Sequence, residues 1–151
     1  MLPISGHKLI DLIPQKPPFV LISTLLDVNE KTCTTDFSFD HTHVLFHNGH
    51  MTAAGLMENI AQTAAAKMGF EYFLQNKPIP IGFIGDVRDF QFTQLPVMGD
   101  ILVTEITIDT KVFDVTIISG RVRLGDQTIA SCKMKIFVEP EKKEVAQSAQ
   151  I

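Results

Sequence analysis

The sequence predicts an α+β domain in which an antiparallel sheet wraps around one long central helix. Between Thr52 and Gly69 alanine is abundant and large apolar residues recur at helical spacing, so few side chains of this segment favour water. After Asn76 the apolar period changes from 3.6 to 2, and two more strand-like segments precede the helix. A helix that is apolar nearly all round needs cover on several sides, and a curled sheet of six strands can supply it.

Length and composition fit a single domain. The chain has 151 residues, 45% of them hydrophobic, with 11 Phe for the core. We place the domain at residues 1–139 and predict a disordered tail at 140–151, where the sequence is first charged and then small and polar. The net charge of −4 gives no reason to expect nucleic acid. No apolar run is long enough for a membrane span and no signal peptide opens the chain, so we expect a cytoplasmic protein.

The elements before the helix follow from local signals. We predict a turn or two of helix at residues 7–13 and a proline-rich extended stretch at 14–18. Two strands follow at 19–28 and 32–39, and a polar loop at 40–51 leads to the central helix. Thr52 is the expected N-cap of the central helix, and Gly69 is placed to end it, although residues 70–72 could carry it further.

Four strands are predicted after the helix, at residues 81–92, 101–112, 115–124 and 128–138, with a break in the first at Gly85. The last two form a hairpin. A three-residue loop at 125–127 would keep the apolar faces of its strands together, whereas a two-residue turn would mix them. That register places four basic side chains on one face, Arg121, Arg123, Lys133 and Lys135. They form either a solvated sheet face or a landing site for an acidic carrier protein.

The two cysteines, Cys33 and Cys132, lie in strand-like segments. We expect both to be reduced core residues of a cytosolic protein, because no local pattern indicates a catalytic cysteine.

Three segments in the same order resemble the 3-hydroxyacyl-[acyl-carrier-protein] dehydratases. They are residues 12–22, with Pro-Gln-Lys-Pro-Pro-Phe inside; residues 58–62, Glu-Asn-Ile-Ala-Gln; and residues 83–100, with Phe-Ile-Gly at the start and Leu-Pro-Val-Met-Gly-Asp at the end. The resemblance covers about residues 7–138 and implies a hotdog fold, which is the sheet wrapped around a helix described above. A fold alone does not assign a function, since hotdog domains also serve as thioesterases and binding modules.

One segment departs from that family. The family carries Gly-His-Phe-Pro and a Gly/Pro-rich stretch before the helix, whereas this chain has Gly49-His50-Met51 and no such stretch. In this shortened loop it is similar to the dehydratase-like hotdog proteins of aryl-polyene pigment pathways, in which one hotdog chain can pair with a different one.

The resemblance implies a lyase that removes water from a 3-hydroxyacyl thioester carried on the phosphopantetheine of acyl carrier protein or coenzyme A, with no other cofactor. Glu58 would be the acid, a histidine the base, and amides near Ala54 and Gly55 the oxyanion donors. Gln62 would orient Glu58. Histidine and acid are expected to meet across the interface of a homodimer, a higher oligomer or a hetero-oligomer.

The acting histidine is open among three positions. An ungapped count from Glu58 favours His43, whereas the Gly-His context and the nearby helix start favour His50. We rank His50 first, His47 second and His43 third; each could also be structural or solvated, as could His41. A metal site made from these histidines and Asp40 is not expected, because their spacing matches no recognised ligand pattern.

Three functions therefore stay open. The first is a dehydratase in fatty-acid or polyene-type synthesis. The second is a non-catalytic hotdog partner or acyl-binding module, in which Glu58 is only a buried structural acid. The third is a thioesterase in which Glu58 activates water.

Overall fold

The computed structural model describes residues 1–40 and 43–139, so the predicted tail and His41 lie outside the described residues. In chain order the elements are β1 (Ile4–Ser5), α1 (His7–Ile10), β2 (Thr24–Val28), β3 (Thr32–Ser38), β4 (Phe46–His47), β5 (His50–Met51), α2 (Ala53–Leu74), β6 (Gly82–Phe92), β7 (Ile101–Val112), β8 (Val115–Leu124) and β9 (Gln127–Val138).

Seven strands form one antiparallel sheet in the order β1-β2-β3-β7-β8-β9-β6, and β4 pairs with β5 in a separate small hairpin. The sheet covers α2, whose side chains Leu56, Ile60 and Ala64 are completely or almost completely buried. The predicted antiparallel sheet around one central helix is therefore confirmed. Within the described ranges no helix is both long and apolar enough to cross a membrane.

The helix begins as predicted and ends later than its glycine suggested. The Gly55 N–H donates to Thr52 Oγ1 at 3.1 Å, which confirms the N-cap. The helix then passes through Gly69 and runs to Leu74. Gly69 serves a close approach instead, since a Cβ there would lie 1.8 Å from the Leu12 carbonyl oxygen.

The first predicted long strand is shorter than its apolar sequence indicated, since β2 begins only at Thr24. The backbone before it is bound by side chains of α2. The Leu21 N–H donates to Gln62 Oε1 at 2.6 Å, and the Leu21 carbonyl accepts from Asn59 Nδ2 at 2.7 Å. Because both polar groups of Leu21 are used in this way, this residue cannot take part in a strand ladder.

The predicted three-residue hairpin loop is wrong. Leu124 pairs with Gln127, so the turn contains only Gly125 and Asp126. The faces stay separate because Ile129 is an extra residue: Arg123 pairs with Thr128, whereas Val122 pairs with Ala130. A bulge, and not the loop length, keeps the apolar and polar faces apart. The alternation of apolar and polar residues does not reveal this bulge.

Among the described strands, β6 lies at one edge of the sheet and pairs with β9 alone. Its register shifts between Ile84 and Asp86, which places a bulge at the predicted break, Gly85. A second shift occurs between Arg88 and Gln91.

Candidate active site

Glu58 lies in the second turn of α2 and is only partly buried, although we expected a buried acid. Its Oε1 accepts a hydrogen bond from Gln62 Nε2 at 2.9 Å. The two residues are four apart on one helix, so their side chains lie on the same face. The expected contact between Gln62 and Glu58 is present, and the carboxylate is held at the edge of the core.

Both polar atoms of the Gln62 side chain form hydrogen bonds. It is completely buried, its Oε1 accepts from the Leu21 N–H, and its Nε2 also donates to the Phe19 carbonyl at 2.8 Å. These bonds fix the orientation of the amide, because a flip would place its NH₂ group against the N–H of Leu21. Glu58 Oε1 is consequently always an acceptor, and a proton on this carboxyl group belongs on Oε2.

Glu58 opens onto a groove of about 240 Å³ between α2, the proline-rich stretch and the edge of the sheet. The lining is mostly apolar, with small side chains on the helix. The residues are Pro14, Gln15, Glu58, Ala61, Ala65, Met68, Pro80, Gly82, Phe83, Ile84 and Ile136. A mostly apolar groove with a single carboxylate can hold an apolar ligand that places a polar group at Glu58.

The hairpin β4–β5 carries His47 and His50, which lie opposite each other and are both exposed. His50 Nδ1 lies 3.0 Å from the Asn48 carbonyl oxygen. Since a carbonyl only accepts, Nδ1 carries the proton in this contact, and a neutral ring then has its free lone pair on Nε2. That is the form a general base needs.

The hairpin is joined to the Pro-Val-Met-Gly-Asp turn. The Met51 N–H donates to the Pro96 carbonyl at 2.8 Å, and His50 forms an isolated bridge with Val97. The sequence motif at 95–100 therefore supports the loop that carries the first-ranked histidine, a role that its residues alone did not suggest.

His43 has a different setting. Its Nδ1 lies 3.3 Å from Asp40 Oδ1, and its ring packs edge-on against Phe37 with centroids 5.1 Å apart. It lines a separate cavity next to Leu9 and Pro18. Within residues 1–40 and 43–139, neither this histidine nor His47 or His50 forms a hydrogen bond or ion pair with Glu58.

The two predicted oxyanion donors at the start of α2, the N–H groups of Ala54 and Gly55, differ in their hydrogen bonding. The Gly55 N–H is already bound to Thr52, whereas Ala54 is exposed and its N–H has no hydrogen bond to any described residue. A helix N-terminus favours developing negative charge, so Ala54 is the donor that this end of α2 can offer.

Both cysteines are free and buried. Burial raises the pKa of Cys33 to about 12 and that of Cys132 to about 11. Neither is therefore a thiolate near neutral pH, which argues against a nucleophilic cysteine. Among the described side chains no group of three His, Cys, Asp or Glu is arranged to hold a metal ion.

The four basic residues of the last hairpin share the outer face of the sheet despite the different turn. Arg121 donates to Glu105 Oε1 at 3.0 Å, and Asp89 and Glu105 line the same shallow depression as Arg121 and Lys133. Acidic and basic groups alternate there, which is typical of an ordinary solvated face.

The sequence was not informative about Gln15. Gln15 lines the groove with Glu58, and its Oε1 is buried, with no hydrogen-bond partner in the described part of the chain. The segment has neither helical nor strand periodicity, so nothing local indicates which way its side chains face. An amide between prolines is the only signal.

The family model described as ApeP dehydratase, of the ApeP-like family, matches residues 7–148. No protein of curated function matches the sequence.

Similar solved structures share the fold at low identity. A chain of the dehydratase heterocomplex ApeI:P from Xenorhabdus doucetiae is 15% identical, with 100% of this chain and 99% of that chain covered and a TM-score of 0.82. An uncharacterized protein from Pyrococcus horikoshii is 20% identical, with coverage of 94% and 97% and a TM-score of 0.62. A hypothetical thioesterase with coenzyme A from Streptococcus pneumoniae is 8% identical, with coverage of 79% and 87% and a TM-score of 0.60.

Proposed function

Because the chain belongs to the ApeP-like dehydratase family, we propose that it takes part in removing water from a 3-hydroxyacyl thioester during fatty-acid or polyene-type synthesis. The acyl group would be carried on the phosphopantetheine of acyl carrier protein or of coenzyme A. The observation that carries the proposal is the Glu58 carboxylate, which the buried Gln62 holds at a narrow apolar groove.

The proposed reaction uses Glu58, which the Gln62 amide orients, as the acid. A histidine takes the proton from the carbon next to the thioester carbonyl, and the N–H of Ala54 at the helix start stabilises the charge on the carbonyl oxygen. The bond from the third carbon to its hydroxyl breaks as Glu58 Oε2 gives its proton to the leaving oxygen. Water departs and a double bond forms between the second and third carbons. Acid and base are protein side chains, so this reaction needs no further cofactor.

The site is completed by a second subunit in this proposal. No described histidine forms a hydrogen bond or ion pair with Glu58 within one chain, and the groove is bordered by Gly82, Phe83 and Ile84 of the edge strand β6. A subunit that pairs along β6 would lie beside the groove and could bring its own histidine to Glu58. The partner can be a second copy or a different hotdog chain; the Xenorhabdus doucetiae structure is described as a dehydratase heterocomplex, which supports the second arrangement.

A non-catalytic partner role is the second candidate. The same separation of Glu58 from every described histidine favours it, since a subunit that only shapes an acyl groove or stabilises an active partner needs no base. The thioesterase alternative rests on fold likeness alone, at 8% identity, and gains nothing from the geometry of the site. The free, buried cysteines support a reducing compartment, and we place the protein in the cytoplasm.

The test is turnover by the purified chain, alone and mixed with a second hotdog chain of dehydratase type. Hydration of a 2-enoyl pantetheine thioester and release of free thiol are followed in parallel. Hydration without thiol release supports a dehydratase, and hydration by the mixture alone supports a shared site. Thiol release without hydration refutes the proposal in favour of a thioesterase, and a partner whose activity does not change with this chain refutes a shared site.

A further inference from the structure

A row of apolar side chains crosses the outer face of the sheet, which is the face away from α2. Its members, which we call the outer apolar row, are Phe83 of β6, Phe137 of β9, Val115 of β8, Val112 of β7 and Phe113 in the turn after β7. Phe83 pairs with Phe137, and Val115 pairs with both Phe137 and Val112. Directly opposed residues point to the same side of an antiparallel sheet. Because Ile136 is buried in the core, the adjacent Phe137 points outward, and so do the strand residues paired with it in this row.

The outer apolar row leaves much of its surface uncovered in the described part of the chain. Phe113 is 94% exposed, Phe83 58% and Phe137 41%. A whole phenylalanine offers about 200 Å², so these three residues expose roughly 400 Å². Two copies packed face to face would remove twice that area from water, and the two valines add to it. The total reaches the roughly 1,000 Å² that a specific interface needs.

The backbone conformation of Phe113 is unfavourable for an aromatic residue. Val112 pairs with Val115, so Phe113 and Asp114 form a two-residue turn, and Phe113 has a φ of 52°. A positive φ is uncommon for a bulky residue, and tight hairpin turns prefer Gly, Asn or Asp at such positions. Because Phe113 is almost fully exposed to solvent, no packing in the described part of the chain compensates for this strain. Burial against a partner would do so.

We propose that a second copy of this chain docks on the outer apolar row, with Phe113 as the anchor of the interface. A two-fold axis through the row exchanges its ends, so Phe113 of each copy packs against Phe83 of the other. Buried aromatic anchors supply much of the binding energy of such interfaces. Charges of both signs flank the row, since Asp114 follows Phe113 and Lys135 lies opposite Asp86. The rim therefore does not carry a single sign of charge that would repel a second copy.

This interface is separate from the pairing along β6. Pairing along β6 uses the backbone at the edge of the strand, whereas the outer apolar row uses side chains on one face of the sheet. Both contacts can form at once, and together they assemble four chains. The inference goes beyond the proposed function, because it requires neither Glu58 nor the groove.

The test isolates the outer apolar row from β6. Ile84→Lys places a charge where β6 would pair, so light scattering of this variant at micromolar concentration should give twice the chain mass of 16.8 kDa. Phe113→Asn, added to it, should raise the concentration at which half of the pairs dissociate at least about 30-fold, as for the loss of an interface anchor. Asn tolerates a positive φ, so this variant should fold as well as its parent, which circular dichroism checks.

Ile101→Asn is the matched control. Ile101 is exposed to the same extent as Phe83, at 58%, and lies at the opposite end of β7 from Phe113, so its replacement should leave the pair intact. In the wild type, Phe113→Asn alone should halve the measured mass, and this result does not depend on the folding of Ile84→Lys. A monomeric wild type, or a mass that Phe113→Asn leaves unchanged in both backgrounds, overturns the interface. A wild-type monomer that binds a different chain through Phe113 also overturns it, by showing another occupant. Turnover enters none of these readouts, so the inference and the proposed function can fail separately.

Discussion

At the scale of single residues, the candidate site depends on a hydrogen-bonded amide. Gln62 cannot turn, since Leu21 and Phe19 bind its two ends, and it therefore decides which oxygen of Glu58 can carry a proton. Only the contact between Gln62 and Glu58 was accessible from the sequence, because residues four apart on a helix lie on one face. The bonds from Gln62 to Leu21 and Phe19 were not accessible, because they depend on where a chain without periodicity crosses the helix.

Glu58→Gln should retain the fold and lose turnover. The new side chain still offers an oxygen to Gln62 Nε2, so the free energy of unfolding should change by less than about 1 kcal/mol. The carboxylic proton is gone, and hydration of an enoyl thioester should fall at least about 100-fold. Glu30→Gln, at an exposed turn, is the matched control and should keep full activity. Wild-type hydration by Glu58→Gln would make this acid purely structural.

The three histidines should separate when each is replaced by alanine. His50→Ala should lose the most turnover, because its Nδ1 contact leaves Nε2 free to accept a proton. His43→Ala should lose the least turnover but unfold more easily, by about 1 kcal/mol, since its ring packs on Phe37. Turnover and denaturant unfolding are measured for each variant. A fully active His50→Ala beside an inactive His47→Ala reverses our ranking. If all three variants match an inactive wild type, the non-catalytic partner role is favoured.

At the scale of elements, periodicity predicted the existence of the helix and strands but not how they are fitted together. The ranges of β7 and β8 agree with the prediction at both ends, because alternation persists over the whole of each strand. Two features could not be predicted from local pattern. The bulge at Ile129 depends on cross-strand pairing. The late start of β2 at Thr24 depends on side chains of α2 that lie about 40 residues away in the sequence.

Gly69→Ala tests the fit between α2 and the segment before β2. Alanine is the better helix former by about 1 kcal/mol, yet its Cβ would lie 1.8 Å from the Leu12 carbonyl oxygen. The backbone must move, so we expect a net loss of about 2–3 kcal/mol in the free energy of unfolding. Gly120→Ala is the comparison, since its nearest obstacle is a side-chain atom, the Ile60 Cγ2 methyl group at 2.4 Å, and not the backbone.

Denaturant titration gives both values. Gly69→Ala should be the less stable of the two variants, because its new Cβ would meet backbone at the shorter distance, whereas that of Gly120→Ala would meet a side chain. Equal or reversed stabilities would show that the segment at Leu12 yields easily.

At the scale of the whole molecule, the described part of one chain bonds no histidine to Glu58. Glu58 and Gln62 lie on the helix, beside a groove that the edge strand borders, whereas His50 lies on the β4–β5 hairpin and bonds to Asn48. The sequence indicated this arrangement through its family resemblance and its short loop. It could not indicate the partner, because the surface that a partner covers is defined only once β6 is placed at the edge of the sheet.

The assembly is the last prediction. Strand β6 presents backbone groups that pair with no described strand, together with exposed apolar side chains, Phe83 at 58%, Ile84 at 44% and Phe92 at 45% exposure. Such an edge favours pairing with another strand. Light scattering at micromolar concentration should therefore give twice the chain mass of 16.8 kDa or more.

Ile84→Lys should shift the mass toward the monomer, because pairing would bury its charge. Leu26→Lys, on β2 across the sheet, should not do so. A stable wild-type monomer would exclude the homodimer and leave a different hotdog chain as the subunit that covers β6.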